Sequence, residues 1–256
     1  MHIFFDIFGL KIPAYGTMLA LGLVLANVFG LALMKKLKMD TDNVFILEGY
    51  MLLGAIFGAK ALYLITAASS IDWSRMTDLA YLKMVMNGGF VFYGGLIGGI
   101  LGVLLAGRIH KIDVVAYIRV GIIFVPLAHA IGRVGCTLAG CCYGIPYDGP
   151  GALIYPELSG AIPGIPLFPV QLVEAGGLLI IFAINLTLFL KMRFRYTLEL
   201  YLILYLLMRF GLEYLRYDAI RGAAAGLSTS QWISLVIAAG LIVRFVVMWV
   251  RRRQHA

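Results

Sequence analysis

Long apolar runs separated by short polar connectors dominate this chain. A helix needs about 20 mainly apolar residues to cross the hydrocarbon core of a bilayer. Seven runs reach that length, and they cover approximately residues 13–34, 44–66, 89–107, 114–131, 169–190, 196–215 and 228–250. The pattern predicts an all-α, polytopic membrane protein with seven transmembrane helices, in which residues 1–256 form a single transmembrane domain.

The composition supports this interpretation. The chain is 62% hydrophobic and 13% charged, whereas soluble domains are about 45–50% apolar and about 25% charged. These values exclude a disordered chain and disfavour a water-soluble globule. The N-terminus has no basic segment, and no small-residue cleavage pattern follows the first run, so we expect that run to be a retained span.

The distribution of charge explains the formal net charge of +8. The connectors after the first, third and fifth runs, together with the C-terminal tail, hold 11 Lys and Arg residues, whereas the opposite side holds six. Cytoplasmic loops carry the excess of cations in membrane proteins. We therefore expect the N-terminus outside and the C-terminus in the cytoplasm, and we expect no nucleic-acid partner.

Polar side chains occur near the outer ends of six predicted helices. They are Tyr15, Lys60, Tyr93, Arg133, Gln171, Glu174, Tyr205, Arg209, Glu213 and Arg216. Because polar groups inside a bilayer are costly, their common depth predicts a polar chamber in the outer leaflet. The excess of cations suits an anion, and the arginine fork suits phosphate, so a phospholipid head group is the expected ligand.

Some of these charges have a simpler interpretation. Glu213 can form a structural ion pair with Arg209 or Arg216. Arg119 and Arg244, toward the inner side, are expected to extend their charged ends to the membrane surface. The glycines at 94, 95, 98, 99 and 102 have small-xxx-small spacing, which favours close helix packing over a groove for an acyl chain.

The segment 132–144 reads GRVGCTLAGCCYG and resembles the G-R-x-G-N-x-x-N-G-E-x-W-G signature of prolipoprotein diacylglyceryl transferases. Four further segments are similar to motifs of that family in the same order: AYGTM at 14–18, GAK at 58–60, FYGGLIG at 92–98 and PVQLVE at 169–174. Tyr205, Arg209, Glu213 and Arg216 keep the family's spacing in the sixth helix. The similarity extends from about residue 13 to about residue 240, so the chain is identified as a member of this family.

The resemblance implies a multi-pass enzyme of the bacterial cytoplasmic (inner) membrane. Such an enzyme moves the diacylglyceryl group of phosphatidylglycerol to the lipobox cysteine thiol of a prolipoprotein and releases glycerol phosphate. By position, the catalytic residues are Arg133, Arg209 and Tyr93, and the substrate-binding residues are Tyr15, Lys60, Cys136, Cys141, Gly144, Gln171, Glu174, Tyr205 and Arg216. The expected partners are phosphatidylglycerol and a prolipoprotein or other thiol acceptor, and no cofactor or metal is expected.

Three of the departures from the family pattern bear most directly on the chemistry. Tyr93 replaces a histidine, Cys136 replaces the signature Asn, and Cys141 replaces the signature Glu. A phenol holds its proton until about pH 10, so tyrosine is a poor base at neutral pH. Either the tyrosine and arginines suffice, or the chain is a paralogue with another acceptor, or it is a non-catalytic lipid-binding or thiol-redox protein of the same fold. His129 is a candidate replacement base or a packing residue.

The cysteines leave several interpretations open. Cys136 and Cys141 can form a disulfide that leaves Cys142 over. Thiols can also line the substrate site, or act as a nucleophile beside Arg133. A metal site of the three cysteines, with or without His129, is a weaker hypothesis, because the C-x4-C-C spacing is unusual for metal ligands. The last alternative is that the cysteines fill space in a tight turn.

Overall fold

The computed structural model describes residues 3–7, 9–157, 159–217 and 223–254. The helices are α1 (Ala14–Lys36), α2 (Asp42–Thr66), α3 (Leu79–Asn87), α4 (Phe92–His110), α5 (Val114–Gly121), α6 (Val125–Ala139), α7 (Val170–Met192), α8 (Thr197–Leu212) and α9 (Thr229–Gln254). Three short antiparallel pairs join β1 (Phe4–Ile7) to β2 (Leu10–Pro13), β3 (Leu153–Ile154) to β4 (Pro166–Leu167), and β5 (Ala223–Ala224) to β6 (Leu227–Ser228). The prediction of a helical membrane protein is confirmed.

The apolar helices account for all seven predicted runs. Five of them, α1, α2, α4, α7 and α9, are long and apolar enough to cross a membrane, and the bent pair α5 and α6 makes a sixth candidate span. Helix α8 has 16 residues, and a 3-10 turn at Glu213–Leu215 continues it. The described residues therefore form a multi-pass membrane protein with five or six candidate spans.

The fourth predicted run differs from the sequence-based expectation. Residues 114–131 do not form one straight helix, because α5 and α6 meet at a bend of 47°. Pro126 lies in the first turn of α6, where no helical hydrogen bond needs its missing N–H. In the interior of a continuous helix, its ring would clash with the carbonyl of the preceding turn, so the helix bends here. Helix α6 then continues to Ala139. Arg133 was predicted near the end of a helix, but it lies inside α6.

The chain divides into two compact units, Met1–Ala32 with Ile118–Ala256, and Leu33–Tyr117. In the first unit, α6, α7 and α8 share an apolar core that contains Ala130, Ala175, Leu178, Ile181 and Tyr201. Helix α1 lies close to α6, because a Cβ added at Gly22 would come within 2.7 Å of the carbonyl oxygen of Ala128. This unit carries most of the predicted site residues.

The second unit is held together by glycine contacts between α2 and α4. A Cβ added at Gly58 would meet the Cα of Gly98 at 2.9 Å, and one added at Gly98 would meet the Cα of Gly58 at 2.9 Å. Gly54 and Gly102 extend the same contact at four-residue spacing. The glycine-rich run therefore packs helices, which was the favoured prediction.

Candidate active site

A buried ion pair joins α6 to α7. Arg133 lies on α6, and an Nη atom of its guanidinium is 2.8 Å from Oε1 of Glu174 on α7. The Glu174 side chain is almost completely buried. A charge removed from water needs a partner, so this pair holds the guanidinium in one place between the two helices.

Two aromatic side chains surround the same carboxylate. The hydroxyl of Tyr205, on α8, donates to Oε1 of Glu174 at 3.3 Å. Nε2 of His129, one turn before Arg133 on α6, is 4.0 Å from that oxygen, and its ring packs against Tyr205 with centroids 5.2 Å apart. The Tyr205 ring also stacks on Tyr201. Groups from α6 and α8 therefore converge on Glu174 of α7.

Arg209 lies one turn after Tyr205 on α8 and is 6% exposed. Its Nη2 atom is 2.6 Å from Glu213 and donates to the hydroxyl of Ser230 at 3.0 Å. Ser230 is placed by the start of α9, where Ser228 and Gln231 form a reciprocal capping box. The structural ion pair between Arg209 and Glu213 is confirmed, and sequence analysis missed Ser230.

The two arginines keep donors for a ligand. Nε of Arg133 and Nη1 of Arg209 are buried and form no hydrogen bond with any described residue. Buried N–H groups nearly always have a partner, so such groups in a polar site point to a bound acceptor. Tyr205 donates to Glu174, which is the partner of Arg133, and it precedes Arg209 by one turn of α8. The arrangement can hold an anion such as phosphate.

Gln171 anchors the segment that follows α6. Its Nε2 donates to the carbonyl of Cys141 at 2.9 Å and to the hydroxyl of Tyr155 at 3.1 Å. Gln171 and Tyr155 are both buried. Burial raises the pKa of Tyr155, although its hydrogen bond with Gln171 acts in the opposite direction.

The three cysteines lie together next to this anchor. Their Sγ atoms are all within 4.8 Å of one another, and no disulfide joins them. Hydrogen bonds with Cys136 and Cys141, together with the charge of Arg216, lower the pKa of the Cys142 thiol against the effect of burial. Hydrogen bonds with the other two thiols raise the pKa of Cys141.

Gly144 lets three segments approach closely. It pairs with Arg216 in an isolated bridge, and a Cβ added to it would lie 2.5 Å from the carbonyl oxygen of Phe168 and 2.9 Å from that of Leu215. The neighbouring Ile145 donates to the carbonyl of Leu215 at 3.0 Å. Gly144 and the backbone of Arg216 thus connect the cysteine segment to the end of α8.

Tyr15 lies at the start of α1 and is partly exposed. A Cβ added at Gly135 would be 3.4 Å from the Cα of Tyr15, so the start of α1 contacts α6 beside Arg133 and Cys136. The structure therefore places Tyr15 near the end of α6 that carries the other predicted residues.

Lys60 and Tyr93 belong to the unit Leu33–Tyr117. Nζ of Lys60 donates to the carbonyls of Val85, Met86 and Gly88 at 2.7, 2.9 and 3.3 Å, so all three of its donors serve the C-terminal end of α3. Tyr93 is 43% exposed in the first turn of α4. Their predicted roles in substrate binding and catalysis stay predictions.

One charged pair was missed by sequence analysis. Arg244 on α9 lies 2.6 Å from Oε1 of Glu199, which is buried in the first turn of α8. The side chain of Arg244 was predicted to extend to the membrane surface without a partner. In the structure it is paired with Glu199.

Comparison with known proteins agrees with these motifs. A family model described as "Prolipoprotein diacylglyceryl transferase" matches residues 2–249. A protein of Clostridium perfringens named phosphatidylglycerol–prolipoprotein diacylglyceryl transferase 2 is 35% identical over 98% of this chain and 96% of its own length. A Clostridium tetani protein with the same name but no number is also 35% identical, over 91% of this chain and 92% of its own.

Proposed function

The chain belongs to the prolipoprotein diacylglyceryl transferase family, and from that premise we propose that it moves the diacylglyceryl group of phosphatidylglycerol to the cysteine thiol of a prolipoprotein. The reaction forms a sulfur–carbon bond at the glycerol carbon and breaks the bond from that carbon to the phosphate oxygen. Glycerol phosphate leaves with the electron pair. The enzyme thus needs a phosphate site inside the membrane and a means of deprotonating the thiol.

The observation that carries this proposal is the pair of arginines with spare buried donors. Arg133 and Arg209 each use part of the guanidinium on a carboxylate and leave one N–H without a partner among the described residues. Negative charge grows on the phosphate as the carbon–oxygen bond breaks. Donors that are already fixed when this charge develops lower the barrier more than donors that must first reorganise.

The other residues divide into supporting roles. Glu174 fixes Arg133, and Glu213 with Ser230 fixes Arg209, so these groups position the two catalytic arginines. Tyr205 supplies a hydroxyl beside Glu174, and Tyr15 and Gln171 line the donor side at the end of α6. Gly144 and Arg216 belong to the substrate site that the family pattern implies. The same pattern assigns a catalytic role to Tyr93 and substrate binding to Lys60.

The proposal includes a topology. The seven apolar runs cross the bacterial cytoplasmic membrane as one domain, with α8 and its 3-10 turn as the seventh span beside the six candidates. The charge distribution puts the N-terminus outside and the Arg-rich C-terminus in the cytoplasm. The arginine site then lies in the outer leaflet, where a secreted prolipoprotein is available.

A vesicle assay tests the function. The purified protein is reconstituted with phosphatidylglycerol labelled in its terminal glycerol, and a lipobox peptide is added. We expect labelled glycerol phosphate in the aqueous phase with the cysteine peptide and none with a serine peptide of the same sequence. Absence of release with every thiol acceptor overturns the proposal, and release that is independent of the peptide thiol identifies a different acceptor.

A further inference from the structure

The turn after α6 brings three thiols to one point. Helix α6 ends at Ala139. Gly140, the next residue, has a left-handed φ of 69°, and Cys142 is also left-handed with a φ of 59°. These two conformations reverse the chain, so that residues 141 and 142 return to the last turn of the helix. The Sγ atoms of Cys136, Cys141 and Cys142 consequently lie within 4.8 Å of one another.

The backbone around the thiols is held on both sides. The N–H of Cys141 donates to the carbonyl of Cys136 at 3.1 Å, and the carbonyl of Cys141 accepts from the buried Gln171 at 2.9 Å. Gly160 donates to the carbonyl of Ala139 at 3.3 Å. A non-glycine residue such as Cys142 seldom adopts a left-handed φ without a surrounding structure that imposes it. The positions of the three thiols are therefore fixed by a turn whose backbone is held by hydrogen bonds.

The spacing of the thiols suits a metal ion. Zinc binds cysteine sulfur at about 2.3 Å, which separates sulfur atoms in a tetrahedral site by about 3.8 Å. The thiols already lie within 4.8 Å, so small side-chain rotations bring them to that distance. Thiolates are soft ligands that select zinc or copper(I) over magnesium and calcium. The C-x4-C-C spacing is unusual for metal ligands, but the left-handed turn brings the three sulfur atoms together. The sequence alone does not reveal this turn.

The surrounding charges favour ionised thiols. Arg133 precedes Cys136 by one helical turn on α6, and Arg216 pairs through its backbone with Gly144, two residues after Cys142. Three thiolates and a divalent zinc ion carry one net negative charge. The guanidinium of Arg216 acts on Cys142 and compensates that charge, whereas Arg133 is already paired with Glu174. An uncompensated charge in the membrane is costly.

We propose that Cys136, Cys141 and Cys142 bind one zinc ion as thiolates, and that the fourth position of this ion binds the acceptor thiol. The second part rests on the proposed function. Catalytic zinc sites use three protein ligands and keep one position for water or substrate. A thiol that coordinates zinc is deprotonated outright, so the acceptor reaches its nucleophilic form without a protein base.

The resulting step is balanced. The acceptor thiol binds zinc and loses its proton to solvent. Its sulfur lone pair forms the bond to the glycerol carbon of phosphatidylglycerol, the carbon–oxygen bond breaks, and the electron pair leaves on glycerol phosphate beside Arg133 and Arg209. The product thioether is neutral and binds zinc weakly, so it dissociates. Zinc takes no part in electron transfer, and no oxidant or reductant is needed.

This site explains the three departures from the family pattern together. Tyr93 stands where the family has a histidine, and the two signature positions that are Asn and Glu in the family are cysteines here. A metal-bound acceptor does not require the missing base. The same substitutions that remove one route of thiol activation thus supply the ligands for another.

Metal content and zinc coordination test the site without relying on activity. The full chain is purified under reducing conditions, and zinc is measured by mass spectrometry. We expect about one zinc per chain in the wild type and in the matched control Thr137→Ser, and below about a tenth of that in Cys136→Ser, Cys141→Ser and Cys142→Ser. X-ray absorption of the zinc protein is expected to report three sulfur ligands, and four after a lipobox peptide is added.

A second variant guards against misfolding. Cys136→Asn combined with Cys141→Glu introduces the residues of the family signature, and it should elute as the wild type does in size exclusion while losing zinc. Zinc binding that persists in the cysteine variants overturns the proposal. So does a reduced wild-type chain that binds no added zinc.

The activity assay separates this inference from the proposed function. Transfer should stop in the zinc-free chain and return with added zinc. Full transfer by the zinc-free chain overturns the inference and leaves the transferase intact. Zinc bound by the three cysteines, with no glycerol phosphate released from phosphatidylglycerol, leaves the metal site intact and overturns the proposed function.

Discussion

Arg133 and Glu174 form a buried ion pair between α6 and α7, with 2.8 Å between the guanidinium and the carboxylate. Such pairs add little net stability over apolar residues of the same size, but removal of one partner leaves an uncompensated buried charge. The pair therefore acts mainly by fixing the guanidinium. The same carboxylate also accepts from Tyr205, so one residue sets the geometry of two others.

Glu174→Gln tests this positioning role. The variant keeps the size of the side chain but leaves Arg133 without its counter-charge. We expect a loss of about 3 kcal/mol in the free energy of unfolding and a fall of about 10²-fold in kcat, with a smaller change in KM. Detergent-based unfolding and the glycerol phosphate assay measure the two effects. A double-mutant cycle with Arg133→Gln should show strong coupling, and additive effects would contradict the account.

Arg209→Lys tests the need for a fork of donors. Lysine keeps the charge but cannot bind Glu213, Ser230 and a phosphate with the same geometry. We expect kcat to fall by about 10²-fold or more. Arg244→Lys is the matched control, because its partner Glu199 is ten residues before Arg209 on α8, about 15 Å along the helix axis. Equal loss of activity in both variants would mean that arginine at 209 has no special role.

Gly144→Ala tests the close approach of the segments around the site. The added Cβ would meet the carbonyl oxygens of Phe168 and Leu215, so we expect a loss of about 1–3 kcal/mol in unfolding free energy. Gly176→Ala in α7 is the control, since nothing lies within 4 Å of its added Cβ. That change should be neutral or stabilising by about 0.5–1 kcal/mol. A Gly144→Ala protein as stable as wild type would contradict the packing described for this position.

Thiol labelling tests the order of ionisation among the cysteines. In the metal-free protein, the lowered pKa of Cys142 keeps its thiolate present as the pH falls, whereas the raised pKa of Cys141 keeps that thiol protonated. An ordinary thiol, with a pKa of about 8.5, loses about tenfold in reactivity per pH unit below that value. We expect iodoacetamide to modify Cys142 first, with a smaller fall in rate between pH 8 and pH 6 than an ordinary thiol shows. Peptide mass spectrometry checks the order, and faster labelling of Cys141 would contradict it.

Hydrophobic patterning located the helices because the membrane imposes length and polarity on each one. Every predicted run contains a helix whose ends lie within a few residues of the prediction, with one exception. The bend between α5 and α6 depends on Pro126, and the continuation of α6 to Ala139 depends on the left-handed Gly140 beyond it. Pro126 and Gly140 are visible in the sequence, but hydrophobicity averaged over a long apolar run does not register single residues.

The partners of the polar residues were harder to predict. Depth in the membrane placed Arg133, Glu174 and Tyr205 at one level, and the structure brings them together. Depth gives no direction around the helix axis, so it did not reveal that the ammonium of Lys60 donates to the end of α3. The thiol cluster depends on the backbone of Cys142, which sequence spacing does not report.

The most direct measurement is the mass of a lipobox peptide after incubation with the reconstituted protein and phosphatidylglycerol of defined acyl chains. The account predicts a gain equal to one diacylglyceryl group on the cysteine sulfur, stable to hydroxylamine as a thioether is, with an equimolar amount of glycerol phosphate. An unmodified peptide in the presence of folded, zinc-loaded protein would contradict it.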